Sequence, residues 1–243
     1  MDLIVSAIGW LLDGSNWTGT GGLTQQLLEQ VLLTLSSLVA AALIGLPVAL
    51  WLGHVGKGGA LAVNVSNIGR AVPTFAVLVL LSVGALGTAR LGPYGRAGLA
   101  TLVSLLLFAL PPIITNAYVG MREVDREVVE AARGMGMSGW GVFTGVELPL
   151  ALPLVLTGLR LALVQVWATA TIAALVAGPG LGNTITLGFK NDDSDLVVGG
   201  AILVALIALV LEGALALVER TLDPVRRARR RSRGAVVGGR RLA

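Results

Sequence analysis

Few residues in this chain could do chemistry, and their spacing points away from catalysis. The 243 residues include one histidine, His54, and no cysteine, which removes thiolate nucleophiles, thiolate metal sites and any disulfide framework. His54 lies in a short loop beside Gly53 and Gly56; it reads as an exposed side chain without a function, and no metal site can be built around it. Gly56-Lys57-Gly58 lacks both the upstream glycine and the following Ser or Thr of a phosphate-binding loop. Any ATP hydrolysis coupled to this chain therefore belongs to another one. Asp192, Asp193 and Asp195 share one loop as solvated charge, whereas Glu212 falls within a long apolar run. A carboxylate at membrane depth is a functional candidate by default. Arg160 is available to pair with it, so a structural ion pair and a transport role both stay open.

The most distinctive pattern is mechanical: Glu130-Ala131-Ala132, then Gly136, then Val146, then Leu148-Pro149. Residues 121–150 form a polar insertion between two apolar runs. From Met121 to Met135 the order predicts a short amphipathic helix with Val124, Val128, Ala131, Ala132 and Met135 as its apolar stripe. The pairs Arg122/Asp125, Glu123/Arg126, Arg126/Glu130 and Glu130/Arg133 stand at helical i, i+3 or i+4 spacing, each worth a few tenths of a kcal/mol when exposed. Ala131 and Ala132 offer a surface with almost no side chain. Gly134, Gly136, Gly139 and Gly141 supply turns or close backbone approach. Such a surface suits a groove in another protein. Pro149 is expected where the next membrane helix begins, a position at which its missing N–H is no loss.

The elements that position this loop are membrane helices. Hydrophobic residues make up 55% of the chain and charged ones only 13%, with a mean hydropathy of +0.83, outside the range of soluble domains. Five apolar runs, at about 26–53, 63–88, 97–120, 151–177 and 198–220, are near or above the ~20 residues needed to cross a bilayer. The expectation is an all-α, polytopic membrane protein of about five spans in one domain. Residues 1–25 read as an external N-terminal segment with Trp10 and Trp17 at the interface, residues 26–220 as the membrane domain, and 221–243 as an arginine-rich cytoplasmic tail. With the N-terminus outside, the inner side carries Lys57, Arg70, Arg122, Arg126, Arg133 and the tail arginines, against Arg90, Arg96 and Lys190 outside. This basic bias orients the chain and places the 121–150 loop in the cytoplasm. The tail reads as a topology anchor on anionic lipid; no aromatic residues interleave with its arginines as nucleic-acid binding would require.

Polar and proline breaks within the spans are pathway candidates: Pro73-Thr74, Pro111-Pro112 with Asn116, and Gln165, Thr169 and Thr171. Backbone groups freed by proline must be satisfied by protein or a water-filled cavity, never by lipid. Interhelical packing explains each site equally well on its own.

The composite Glu130-Ala131-Ala132, Gly136, Leu148-Pro149 spacing resembles the cytoplasmic coupling motif of type I permeases of binding-protein-dependent ABC importers, with Val146 where isoleucine is commoner. The runs from Phe108 to Asn116, from Glu130 to Met137, from Val146 to Leu154, from Thr169 to Ala174 and from Gly178 to Gly182 are similar to permeases for quaternary-amine osmoprotectants. The resemblance covers about residues 25–220; Pro179 departs from the alanine or glycine usual there. It implies a cell-membrane subunit without a cofactor of its own and without catalytic or metal-binding residues. Its implied partners are a second permease subunit, a cytoplasmic ATPase dimer carrying ATP and Mg, and an extracytoplasmic substrate-binding protein. It further implies that Glu130, Ala131, Ala132, Gly134 and Gly136 form the docking surface and that Leu148-Pro149 pass motion into the following span. The implied cargo is glycine betaine, choline or carnitine; methionine or another amino acid is the alternative within the class, and an ion-coupled secondary transporter the alternative outside it. With eleven aromatic residues and no clustered aromatic cage in the spans, cargo specificity is expected in the separate binding protein.

Overall fold

The computed structural model describes residues 2–60, 64, 69, 71–89, 92–95 and 97–222; Arg70, Arg90, Arg96 and the tail arginines beyond Arg220 lie outside them. The described chain is helical: α1 (Asp2–Leu12), α2 (Leu23–Val55), α3 (Thr74–Val83), α4 (Gly98–Arg122), α5 (Arg126–Gly134), α6 (Leu148–Ile172), α7 (Gly182–Asn191) and α8 (Ser194–Leu222), with shorter helical turns between them. Among the described residues, four helical runs are long and apolar enough to span a bilayer: Leu23–Val55, Gly98–Arg122, Gly139–Val176 and Ser194–Thr221. The expected span at 63–88 is described only in part, as α3 and the turn Ala85–Thr88.

Helices α2, α4 and α6 make the central layer. Leu33 and Ala41 of α2 meet Leu105, Ala109 and Ile113 of α4 and Ala162, Val166 and Ala170 of α6 in one buried cluster. Small residues let these helices approach, as membrane packing requires in the absence of a hydrophobic drive between them. A Cβ built on Gly158 would stand 2.8 Å from Asn116 Cβ and 2.9 Å from the Pro112 carbonyl oxygen. One on Gly120 would stand 3.0 Å from the Ala151 carbonyl oxygen. Helix α8 packs on α6 through Leu203 and Trp167, whose indole N–H donates to the Val204 carbonyl at 3.1 Å. The N-terminal α1 is folded onto α8: Ala7 is buried, and Trp10 fills the space beside Gly199.

The end of α6 is held by two glutamines of α2. Beyond Ile172 the chain tightens into a 3-10 turn, Ala173–Val176, and reverses through Gly178–Leu181 into α7. Gln30, fully buried, donates to Thr171 Oγ1 at 2.9 Å and accepts from the Leu181 backbone N–H at 2.8 Å. Gln26 accepts from both the backbone N–H and the hydroxyl of Thr184. These bonds satisfy backbone donors that helix geometry leaves open. Gly180, at φ +115°, lies against Gln30, where a Cβ would come within 2.9 Å of its oxygen.

Three outcomes are expected. Gly9 faces open space in α1, so Gly9→Ala should hold or raise the melting temperature of the detergent-purified protein, by up to about 1 kcal/mol of helix propensity. Gly158→Ala should instead lower it, overpacking costing about 1–3 kcal/mol. Gln30→Leu orphans the buried Leu181 N–H, at about 1–3 kcal/mol; hydrogen-exchange mass spectrometry should show faster exchange across 178–184, with α4 unchanged.

Candidate functional site: the docking segment and its footing

Residues 121–147 are anchored at three helix ends. The sequence predicts one helix from Met121 to Met135, but Arg122 is the last residue of α4, and a new helix starts only at Arg126. Asp125 causes the restart: its carboxylate caps α5 by accepting from the Glu127 N–H at 2.9 Å, a preferred N-cap arrangement. Arg122/Asp125 and Glu123/Arg126 consequently straddle a break. None of the four expected charge pairs forms an ion pair among the described residues; exposed partners on such a short helix gain little over solvation.

The apolar stripe is also rotated from the expected one. Val124, Val129 and Ala132 are buried against Met121 of α4, Ala151 of α6 and Val142, with Leu50 of α2 alongside. Val128 and Ala131, expected on the same stripe, point outward, and Met135 is 78% exposed. The two alanines thus divide the work: Ala132 fits the footing, while Ala131 leaves a flat patch on the outer face beside exposed Glu130. Gly134 ends α5, and Gly136, at φ +87°, turns the chain back in a left-handed conformation that favours glycine. Ser138 then caps a second helical turn, Gly139–Val142, by accepting from the Gly141 N–H. Trp140 on that turn is 74% exposed. Val128, Ala131, Met135 and Trp140 are all exposed, as are the charged residues of α5.

Pro149 stands in the first turn of α6, as expected, but that helix continues an existing helical path. The helical path begins at Gly139 and runs through a π-helical segment, Phe143–Glu147, into α6. The Leu148 N–H bonds to the Phe143 carbonyl, one residue further back than in an α-helix. The wider turn accommodates a proline that lacks an N–H and crowds the preceding turn. Leu148 and Pro149 are half-buried within this continuous rod, which links the docking surface directly to the α6 core.

His54 is corrected in place: it is neither in a loop nor fully exposed. It belongs to the last turn of α2, its side chain is 24% exposed, and it is hydrogen-bonded through Nδ1 to Glu147 Oε2. Glu147 is 2% exposed, a burial not anticipated from the sequence. Its visible signal is a carboxylate between Val146 and Leu148, where the footing of a helix is otherwise apolar.

The remaining charges and polar breaks are largely satisfied locally. Arg160 pairs with Glu212, its Nε donating at 2.7 Å, and also with Glu219 at 3.4 Å; the ion-pair reading of Glu212 thus has its geometry. Asn116 donates to the Pro112 carbonyl at 2.8 Å, and Thr169 to that of Gln165 at 2.8 Å. Thr171 belongs to the Gln30 bond network. Pro73 caps α3 ahead of Thr74, and Pro111 lines an apolar groove of about 440 Å³ between α3 and α4. Neither Pro112, Asn116, Gln165, Thr169 nor Thr171 lines that groove, so the pathway candidates do not converge on it.

The fold and this segment have counterparts. A family model described as the binding-protein-dependent transport system inner membrane component matches residues 26–224. The chain is 32% identical to a carnitine transport permease protein of Listeria monocytogenes, over 81% of this chain and 86% of that one. It is 28% identical to a glycine betaine/carnitine/choline transport system permease protein of Bacillus subtilis, over 85% and 91%. It is 34% identical to an osmoprotectant import permease protein of Salmonella typhimurium, over 81% and 80%. In structure it matches a chain of the MetNI methionine ABC transporter, solved in inward-facing conformations, with a TM-score of 0.70 and 21% identity over 88% of this chain and 96% of that one. With four membrane-length helices among the described residues and a family match over most of its length, the chain belongs to the inner membrane component family of binding-protein-dependent transport systems and has the type I ABC importer permease fold.

Proposed function

We propose that this chain is the translocation subunit of an ATP-driven importer for a small quaternary-amine osmoprotectant such as glycine betaine, choline or carnitine. The observation that carries the reading is the outward apolar patch on α5 and Trp140, held on a continuous rod that enters the membrane core. Exposed apolar surface of this kind, rimmed by charge, marks a protein contact. In this reading the patch lies on the cytoplasmic side, as the basic bias of the loops favours. The partner ATPase dimer binds ATP and Mg and does all the hydrolysis. A second permease subunit, the same or related, completes the pathway, and an external binding protein delivers the cargo. Closure of the ATPases moves α5; Val129 and Ala132 pass the displacement to the ends of α4 and α6, and the π-helical segment carries it into the core. The osmoprotectant cargo is supported by relatives 28–34% identical over most of the chain. The methionine transporter shares the fold at 21% identity, which carries no argument about cargo.

The test is uptake by the complex of this chain with its ATPase and binding protein in proteoliposomes. ATP-dependent uptake of radiolabelled glycine betaine, choline or carnitine, and none of methionine, is expected. Methionine uptake alone would sink the cargo, and uptake by the lone chain in an ion gradient would sink the class. Met135→Glu and Ala131→Arg should release the ATPase on co-purification, while Gly136→Val should abolish uptake without changing cargo affinity of the binding protein.

A further inference from the structure

A line of four side chains runs from the outward patch to the end of α2. Exposed Trp140 stacks on Phe143, with centroids 5.3 Å apart and planes at 28°. Phe143 meets the ring of His54 edge-on at 5.4 Å and 75°. His54 is hydrogen-bonded to buried Glu147, its one partner among the described residues. The sequence places three of these residues on the Gly139–Val176 helical rod and the fourth on another helix, so the line bridges two elements that the core joins elsewhere.

The chemistry of Glu147 calls for an explanation beyond stability. A carboxylate withdrawn from water is costly unless paired, and a buried pair commonly stabilises a fold no better than apolar side chains of similar volume. The surrounding cluster contains Val142, Val146 and Phe143, so an apolar residue would suit the position. What an apolar residue cannot supply is direction: the hydrogen bond sets one register between the end of α2 and the foot of α6. It does so at the π-helical turn, whose irregular ladder is the softest point of the rod.

Resting on the importer reading, we propose that Trp140, Phe143, His54 and Glu147 are positioning residues that link the ATPase-docking surface to α2, so that displacement of the patch moves α2 together with α6. Ala132 and Val129 press on α4 and α6, and Leu50 gives α2 an undirected apolar contact with the same cluster; the His54–Glu147 bond adds a directed tie between the end of α2 and the foot of α6. Without it, the patch still docks and the ATPase still turns over, but α2 loses its fixed register to the foot of α6 and hydrolysis runs largely without transport.

The experiment measures glycine betaine uptake per ATP hydrolysed by the full complex of this chain, its ATPase and its binding protein in proteoliposomes. His54→Ala and Glu147→Ala should each lower that ratio roughly fivefold or more, the scale of an ordinary coupling between sites. The pair of substitutions together should do no more than either alone. His54→Gln, which keeps a donor for the carboxylate, should recover most of the ratio. Phe143→Ala, which interrupts the line of rings without altering the outward patch, should lower the ratio with the ATPase still bound. His54→Leu with Glu147→Leu removes both polar partners, a change that is close to neutral for folding, and should retain wild-type thermal stability while uncoupling. Wild-type ratios in the Leu/Leu protein, or independent additive losses in the two alanine variants, would overturn the positioning role. A wild-type complex that hydrolyses ATP without any import would instead overturn the importer reading beneath it.

Discussion

The structure depends on one apolar footing, the seat of Val129 and Ala132 on Met121, Val142 and Ala151. A nine-residue helix such as α5 is too short to persist alone in water. Its capping bonds fix where it starts and stops, but only this seat makes it part of the membrane domain. Because the seat is shared between the end of α4 and the foot of α6, α5 cannot shift without acting on both. Close-packed interfaces of this sort switch between discrete arrangements more readily than they deform. A partner that grips the outer face of α5 therefore holds a handle on the core.

The same core explains how polar groups are tolerated at membrane depth. Gln30 and Gln26 of α2 bind the backbone of the reversal between α6 and α7, Arg160 binds two carboxylates of α8, and Asn116 and Thr169 return to carbonyls of their own helices. Each of these groups finds a protein partner, as the bilayer requires; among the described residues the buried hydroxyls of Thr34 and Ser82 are the exceptions. The α2–α4–α6 layer is held by small-residue contact, and the outer helices by these polar ties.

Much of this was legible in the sequence, and the misses have physical causes. Apolar length located the spanning helices, since hydrocarbon thickness sets a length that composition reveals directly. The Glu130 to Pro149 pattern located the polar segment between two spans, for which docking is the proposed role. Its rotation was misread because Asp125 can act either as a helix member in an i, i+3 pair or as a cap that starts a helix, and a capped start shifts which residues face inward. Pro149 marked the first turn of α6 correctly, but the π-helical turn at Phe143–Glu147 that joins it to the preceding helical turn carries no signal in the sequence. Arg160 and Glu212 could be paired in advance because two opposite charges in apolar runs have few alternatives. His54 and Glu147, 93 positions apart, could not, since nothing local signals a contact made only when α2 and α6 pack.

The central claim, that the outer face of α5 and Trp140 is where the ATPase is held, is tested most directly by site-specific photo-crosslinking in the assembled transporter. A photoreactive residue placed in turn at Val128, Met135 and Trp140 should give adducts with the ATPase subunit, and one at buried Val129 should give none. Absence of ATPase adducts from all three outward positions, with adducts instead from Leu187 or Phe189 of α7, would contradict the account.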